Sequence, residues 1–168
     1  MLVALASAKR PSSLHLLSVK DGFCEMSESK VRFQPVDLEK TEGLKHSGRP
    51  LVFESYPSDP RICPVRYLKA YINRTRHLRK ADRLFISLVP PHGAVATTTL
   101  ASWLSKTIRL SGQSGSGGST RSASATKALT SGASLTAVLE AGDWARADTF
   151  SRFYFKPSKM SFQDNVLN

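Results

Sequence analysis

Residues 111–128 read SGQSGSGGSTRSASATKA, and two architectures are compatible with this stretch. Its first half is rich in glycine and serine, a composition typical of flexible linkers between domains. Its second half carries small residues, with Ser119 or Thr120 as an N-terminal cap, which predicts a helix with Arg121 in its first turn. The stretch is therefore either a hinge between two domains or a loop that delivers an arginine to a functional site.

The glycines before this predicted helix do not match a nucleotide-binding motif. Phosphate cradles of the Rossmann and P-loop types need a fixed glycine spacing directly after a buried strand. The segment SGSGG has neither, and the chain contains no GxGxxG, GxxxxGK[ST] or HExxH motif. A phosphate cradle built on this segment is therefore not the favoured interpretation.

The chain of 168 residues carries a large positive charge. Lys and Arg number 24 against 13 Asp and Glu, which gives a formal net charge of +11. The hydrophobic content of 40% and the charged content of 22% are typical of a folded domain. A basic surplus of this size favours a polyanionic partner, with DNA or RNA ahead of an anionic membrane; a purely solubilising charge is the alternative.

The cysteines and the apolar segments indicate an intracellular protein. Cys24 and Cys63 stand far apart without a CxxC spacing, so neither a zinc site nor a disulfide framework is expected. No apolar run approaches the roughly 18 residues that span a bilayer. The N-terminal MLVALASAKR places its basic residues after the apolar run, the reverse of a secretory signal, and is typical of a buried helix whose beginning is missing.

Periodicity predicts a small hairpin after two short helices in the first half of the chain. The helices flank the break at Pro11, and strands are expected over residues 30–38 and 49–54. The polar segment between the strands then forms a basic hairpin loop. A helix with Val65, Leu68 and Ile72 on one face is expected from its cap at Asp59, followed by a short strand over residues 83–88.

Cap and stop residues predict four helices in the second half. The start signals are residues 97–99, Ser119 or Thr120, Ser134 and Thr149, and two end signals are Gly132 and Pro157. Trp103 is expected in the core beneath the first of these helices. Together with the hairpin, this layout predicts an α+β fold that is mostly helical with a small antiparallel sheet.

Residue types suited to phosphoryl transfer without a metal occur in separate parts of the chain. Two arginines can hold the non-bridging oxygens of one phosphate through their planar forks of donors. A lysine can protonate a leaving hydroxyl, and a tyrosine can act as a covalent nucleophile. The candidates are Arg10, Lys40 or Lys45, Arg121, Trp144 and Tyr154.

A second group of cations follows the helix expected from Asp59. Its members are Arg74, Arg76, Arg79 and Lys80. Positive side chains are favourable at the C-terminal end of a helix, which is one explanation for the group. A basic patch for nucleic acid is the other explanation, and the sequence supports both equally.

Three stretches of the sequence carry a likeness to a known family. They are LVALASAKRPSSLHLLSV (2–19), STRSASATKA (119–128) and an ending made of DW (143–144) followed by TFSRFYFKP (149–157). They resemble the catalytic domain of the tyrosine recombinase (phage integrase) superfamily, most closely the recombinases of DIRS-type retrotransposons and related eukaryotic mobile elements. The likeness implies a catalytic domain over residues 1–157 that lacks its N-terminal beginning, and a C-terminal tail over residues 158–168.

The resemblance implies a role for each candidate residue. Arg10 and Arg121 would hold the scissile phosphate, Lys40 or its alternative Lys45 would be the hairpin lysine, Trp144 would hydrogen-bond the phosphate, and Tyr154 would form a 3′-phosphotyrosine link. Further DNA contacts are expected from Lys9, Lys45, Arg74, Arg76, Arg79 and Lys80.

The resemblance also implies the partners and the compartment. It implies double-stranded DNA as substrate, a synaptic tetramer on DNA and a nuclear location. It implies no metal or other cofactor, no membrane and no small-molecule substrate.

Gly118 is the main departure from the family pattern. The family carries histidine three residues before its second arginine, and this chain carries Gly118 there. Losing one group of this kind typically lowers the rate on the order of 10²–10⁴-fold. The alternative function is therefore a recombinase-fold DNA-binding protein, left by a decayed mobile element, that does not cut DNA. A plain basic nucleic-acid-binding module is the third interpretation.

Overall fold

The computed structural model describes residues 1–34 and 49–156. The elements, in chain order, are α1 (Leu2–Ser7), α2 (Pro11–Leu16), β1 (Cys24–Met26), β2 (Lys30–Phe33), β3 (Leu51–Glu54), a 3-10 turn (Pro60–Ile62), α3 (Pro64–Thr75), α4 (Thr97–Leu110), α5 (Ser119–Thr130), α6 (Leu135–Ala141) and α7 (Ala147–Phe153). The α+β fold, mostly helical with a small antiparallel sheet, is therefore confirmed.

The sheet forms from the predicted hairpin and one additional strand. The strand order is β1-β2-β3, both pairings are antiparallel, and Val31 pairs with Phe53. Val31 and Phe33 alternate with exposed residues and are buried, as the period of a half-buried strand requires. The rings of Phe33 and Phe53 meet edge to face at 6.2 Å. The hairpin loop, with Lys40 and Lys45, lies outside the described residues.

The larger core lies between this sheet and helices α1 to α4. The predicted face of α3 is confirmed, because Val65, Leu68 and Ile72 are all buried. The prediction for Trp103 on α4 is wrong. Leu104, the next residue, turns into the core, whereas Trp103 is 41% exposed and lines an apolar groove beside α1 and α3.

A second, smaller core joins the last three helices. Its buried members are Ala125 on α5, Val138 on α6, Phe150 on α7 and Trp144 in the turn between α6 and α7. Helix α1 packs against both α3 and α5, so the N-terminal helix lies between the two cores. This arrangement brings the break between α1 and α2 close to the start of α5.

Two elements of the middle of the chain differ from the prediction. Asp59 caps only the 3-10 turn, through a 3.0 Å bond from the backbone N–H of Arg61, and α3 begins at Pro64. The extended backbone of Cys63 separates the turn from the helix. Residues 83–88 do not form a regular strand. Instead, single residues of this segment form isolated β-bridges, such as the one between Ile86 and Ala94.

The helix starts of the second half also differ in detail. Residues 97–99 lie inside α4, whose N-terminal capping position is Ala96, and the capping position of α5 is Gly118. The side chain of Ser134 does cap α6, accepting a 3.1 Å bond from Ala137 N–H, as predicted. Helix α7 begins at Ala147, two residues before the predicted start.

Candidate active site

Arg121 is buried against the smaller core, over the ring of Trp144. Its side chain is buried in the first turn of α5, with 2% of its surface exposed. The guanidinium carbon lies 3.9 Å from the centroid of the Trp144 ring and 5.2 Å from that of Tyr154. Its Nη1 donates a 3.3 Å hydrogen bond to the carbonyl of Ala8. The structure therefore brings Arg121, Trp144 and Tyr154 together beside the α1–α2 break.

Gly117 explains how the glycine-rich stretch places Arg121. Gly117 is buried, and a Cβ on it would lie 2.7 Å from the carbonyl oxygen and 2.9 Å from the Cα of Ala101 on α4. Only glycine permits this approach of two backbones. The hydroxyl of Thr120 donates a 3.0 Å bond to the Gly117 carbonyl, which links the turn to α5. At Gly117 the stretch is therefore packed on the domain, unlike a solvated linker.

Gly118 stands at the exposed start of α5. Its backbone is in the right-handed helical region, and a Cβ there would meet only the Ser116 hydroxyl, at 3.6 Å. The backbone at Gly118 therefore accepts a Cβ, including that of the histidine which the sequence resemblance predicts at this position.

A tight turn after α6 presents Trp144. Gly142 lies directly under the indole, because a Cβ on it would overlap Cζ3 and Cε3 of Trp144 and lie 2.6 Å from Cη2. Asp143 has a left-handed φ of 53°, a conformation that Asp tolerates better than most residues. Its carboxylate forms an ion pair with Lys9, which connects the turn to the α1–α2 break.

The indole N–H of Trp144 is an unused donor within the described part of the chain. Trp144 is buried, and its Nε1 has no hydrogen-bond partner among the described residues. A buried donor without a partner costs about 1–3 kcal/mol relative to one that is satisfied. A ligand oxygen that reached this N–H would recover that cost.

Tyr154 follows the last turn of α7. Its backbone N–H donates a 2.8 Å bond to the carbonyl of Phe150, which completes the helix end. Its partly buried ring meets Trp144 edge to face, with centroids 5.0 Å apart. Its carbonyl accepts a 3.2 Å bond from the hydroxyl of Thr126 on α5. The ring and the backbone are thus held from different elements.

Arg10 occupies the capping position of α2, two residues after Ala8. Its backbone is extended and its carbonyl accepts a 3.0 Å bond from Leu14 N–H, so it is the residue at which α2 begins. The side chain is partly buried and makes no hydrogen bond or ion pair with another described residue. Arg10 therefore lies on the loop that contacts Arg121 through Ala8.

The cations for which further DNA contacts were expected differ in their exposure and in their partners. Arg74, Arg76 and Lys80 are exposed, as a surface for a polyanion requires. Lys9 is different, since its ammonium is committed to Asp143. Lys40 and Lys45 lie outside the described residues.

Arg79 is turned toward the protein. Its Nη1 donates to the carbonyls of Arg83 and Leu84 at 2.9 and 3.0 Å, and its Nη2 donates to the hydroxyl of Thr75 at 2.7 Å. Burial lowers the pKa of this guanidinium, and its Cζ lies 5.6 Å from the centroid of the Tyr71 ring. These contacts give Arg79 a structural role at the end of α3.

Sequence reasoning missed the residues that support the cluster. Gly117, Thr126 and Asp143 act through contacts with residues distant in the chain, which leave no local pattern, and Gly142 acts on the indole of Trp144 two residues later. The glycine directly after the predicted α6 was the one available signal, since glycine is common just past a helix end. Across residues 1–34 and 49–156, no group of three or more His, Cys, Asp or Glu could hold a metal ion, and no helix is long and apolar enough to cross a membrane.

Solved structures are similar to this chain, whereas no protein-family model matches it and no curated protein matches its sequence. XerA recombinase matches with a TM-score of 0.68 and 16% identity, over 93% of this chain and 52% of that one. XerH site-specific recombinase bound to difH substrate, in a pre-cleavage complex, matches with a TM-score of 0.65 and 17% identity, over 93% and 41%.

A transposon integrase has the same fold. The Tn1549 transposon integrase in complex with transposon right end DNA matches with a TM-score of 0.65 and 10% identity, over 99% of this chain and 55% of that one. The chain thus spans between 41% and 55% of the length of these structures. The chain therefore has the catalytic-domain fold of the site-specific recombinases and integrases to which it is similar.

Proposed function

We propose that this chain is a DNA strand-transfer domain that cleaves and rejoins one DNA strand through a 3′-phosphotyrosine at Tyr154. The clustering of Arg121, Trp144 and Tyr154, which come from three separate segments, carries the proposal. The break that holds Arg10 touches the same cluster through Ala8. The likeness in fold to XerH bound to its difH substrate supports DNA as the ligand.

The side chains of the cluster supply the groups that the reaction needs. Arg121 and Arg10 bind the non-bridging oxygens of the scissile phosphate, because a planar guanidinium matches their geometry. The buried indole N–H of Trp144 donates to one of these non-bridging oxygens. These donors stabilise the charge that develops on the phosphate, which is the largest contribution available without a metal.

Tyr154 and the hairpin lysine perform the bond exchange. The phenol oxygen of Tyr154 attacks phosphorus, the bond from phosphorus to the 5′ oxygen breaks, and the 5′ hydroxyl leaves with a proton from Lys40, or from Lys45 as the alternative. The phosphotyrosine conserves the phosphodiester, so attack by a 5′ hydroxyl rejoins a strand without ATP. The phenol proton passes to solvent in the first step and returns in the second.

The net charge of +11 and the exposed cations Arg74, Arg76 and Lys80 support binding to double-stranded DNA. We extend the proposal to a catalytic domain over residues 1–157 with a tail over 158–168, acting as a synaptic tetramer on nuclear DNA. A DIRS-type element is the proposed origin. These features rest on the sequence resemblance.

Gly118 favours a second function, a recombinase-fold protein that binds DNA without cutting it. The missing histidine removes a proton-transfer group from the start of α5, next to Arg121. The variant Gly118→His makes the two functions separable, because the backbone at Gly118 accepts a Cβ in ordinary contact with the Ser116 hydroxyl.

A covalent-capture assay distinguishes the two functions. The protein is incubated with a pool of nicked duplexes of randomised sequence, which trap any phosphotyrosine because the short cleaved strand diffuses away. An adduct with the native chain, absent after Tyr154→Phe, supports the strand-transfer function, whereas an adduct with Gly118→His alone supports the second function. An adduct that survives Tyr154→Phe excludes Tyr154 as the nucleophile. No adduct with the native chain, while it still binds the pool, supports the second function.

A further inference from the structure

The hydroxyl of Thr126 bridges α5 and the segment that follows α7. It donates a 3.2 Å hydrogen bond to the carbonyl of Tyr154 and accepts a 2.9 Å bond from the backbone N–H of Lys156. The last carbonyls of a helix have no partner within it, so the Tyr154 carbonyl needs an external donor. One side chain from α5 thus satisfies backbone groups on both sides of Phe155.

This use of a hydroxyl is unlike that of its neighbours on the same helix. Ser and Thr inside a helix usually bond to the carbonyl one turn earlier. Ser124 does so at 2.8 Å to Thr120, and Thr130 does so at 3.0 Å to Thr126. Thr126 directs its hydroxyl away from its own helix and toward Tyr154. The contrast indicates that the hydroxyl of Thr126 belongs to the site and is not an incidental helix contact.

The bridge fixes Tyr154 in the frame of Arg121. Both Arg121 and Thr126 belong to α5, a helix of 12 residues, so one rigid element carries the guanidinium and the hydroxyl. The guanidinium lies 5.2 Å from the Tyr154 ring, and the hydroxyl holds the Tyr154 backbone. A shift of the segment after α7 relative to α5 would move the phenol relative to any phosphate held by Arg121.

We infer that Thr126 is a positioning residue for Tyr154, an inference that rests on the proposed strand-transfer function. The hydroxyl of Thr126 bonds to the backbone of Tyr154 and Lys156 and not to the phenol. Its role is to keep the nucleophile at attack distance, and a misplacement of about 1 Å can cost about 10²-fold in rate. Thr126→Val removes both hydrogen bonds at nearly constant volume, whereas Thr126→Ser keeps the hydroxyl.

The rate of adduct formation at saturating nicked DNA is the first measurement. We expect Thr126→Val to lower this rate about 10- to 100-fold while the DNA concentration for half-maximal rate stays unchanged. Thr126→Ser should recover most of the rate. Thr130→Val, which removes a hydroxyl of the ordinary kind from the same helix, should match the parent. A defect in Thr126→Ser as large as that in Thr126→Val, or an equal defect in Thr130→Val, would overturn the inference.

Hydrogen exchange gives a readout that does not depend on cleavage. The Lys156 amide donates to Thr126, so Thr126→Val should speed deuterium uptake in the peptide that covers residues 154–156, and Thr126→Ser should restore slow uptake. Unchanged uptake in Thr126→Val overturns the inference, whatever the activity. If neither the native chain nor Gly118→His forms an adduct but uptake responds as expected, the proposed function fails while the bridge stands.

Discussion

Replacement of Gly117 by alanine is expected to destabilise the protein far more than the same replacement at Gly118. A Cβ on Gly117 would meet the carbonyl oxygen of Ala101 at 2.7 Å, its Cα at 2.9 Å and its carbonyl carbon at 3.2 Å. Ordinary van der Waals contact begins at 3.4 Å. All three atoms belong to the backbone of α4, so no rotation of a side chain can relieve the overlap.

The size of the effect follows from the cost of overpacking. Forcing an extra methyl group into a packed contact typically costs about 1–3 kcal/mol. For a domain of this length each kcal/mol lowers Tm by roughly 2–4 °C, so Gly117→Ala should lower it by about 2–12 °C. Relief of the overlap would also move the start of α5. The rate of adduct formation should therefore fall, because Arg121 lies in the first turn of that helix.

Gly118→Ala is the matched control. Gly118 has a φ of −76°, and a Cβ on it would have only the Ser116 hydroxyl within 4 Å, at 3.6 Å. Alanine there should leave the free energy of unfolding unchanged or raise it by up to about 1 kcal/mol, since it restricts the unfolded chain. Urea unfolding followed by circular dichroism measures both variants. If the two variants had free energies of unfolding equal within about 0.5 kcal/mol, the claim that the turn at Gly117 packs on α4 would be refuted, and a solvated linker would be supported.

Three further outcomes are expected. Gly142→Ala should destabilise the fold by about 1–3 kcal/mol and change the emission of Trp144, measured with Trp103→Phe in the background; unchanged emission would contradict the contact. Asp143→Asn should lower the free energy of unfolding by less than about 1 kcal/mol, because the ion pair of Asp143 with Lys9 is partly exposed. A double-mutant cycle with Lys9→Met should give a coupling energy of the same size between the two residues. Hydrogen bonds from Arg61 lower the pKa of Asp59 in the folded protein. The stability that Asp59 contributes is therefore present above its pKa in the unfolded chain, and it is lost as the pH falls through its pKa in the folded protein. Urea unfolding at several pH values should show that acid-side loss, and Asp59→Asn should make it smaller, because the lowered pKa of Asp148 still contributes a part of it.

Much of the fold was predictable because its signals are local. The alternation of Val31 and Phe33 located β2, and the spacing of Val65, Leu68 and Ile72 defined the buried face of α3. Strand β1 was not predicted, because it has three residues and two of them are exposed, which leaves no alternation to detect. Helical spacing groups Trp103 with Leu100 and Leu104, but only the two leucines are buried and Trp103 lies at the exposed edge of that face.

The site was predictable only in its principal residues. Arg121, Trp144 and Tyr154 were selected by a family resemblance, since no spacing in the sequence links them. Their supports were missed for a physical reason. The need for glycine at 117 and 142 and the outward hydroxyl of Thr126 arise from contacts with α4, with the indole and with the end of α7. Such contacts exist only after the chain has folded.

The central claim is that Tyr154 forms the covalent link to DNA, and peptide mapping of the adduct tests it most directly. Adduct formed by the native chain with the nicked duplex pool is digested with nuclease and trypsin and analysed by mass spectrometry. The account predicts a 3′-phosphonucleotide on the peptide of residues 153–159, whose one tyrosine is Tyr154. A nucleotide on any other peptide, or no adduct from the native chain while it binds the duplexes, would contradict it.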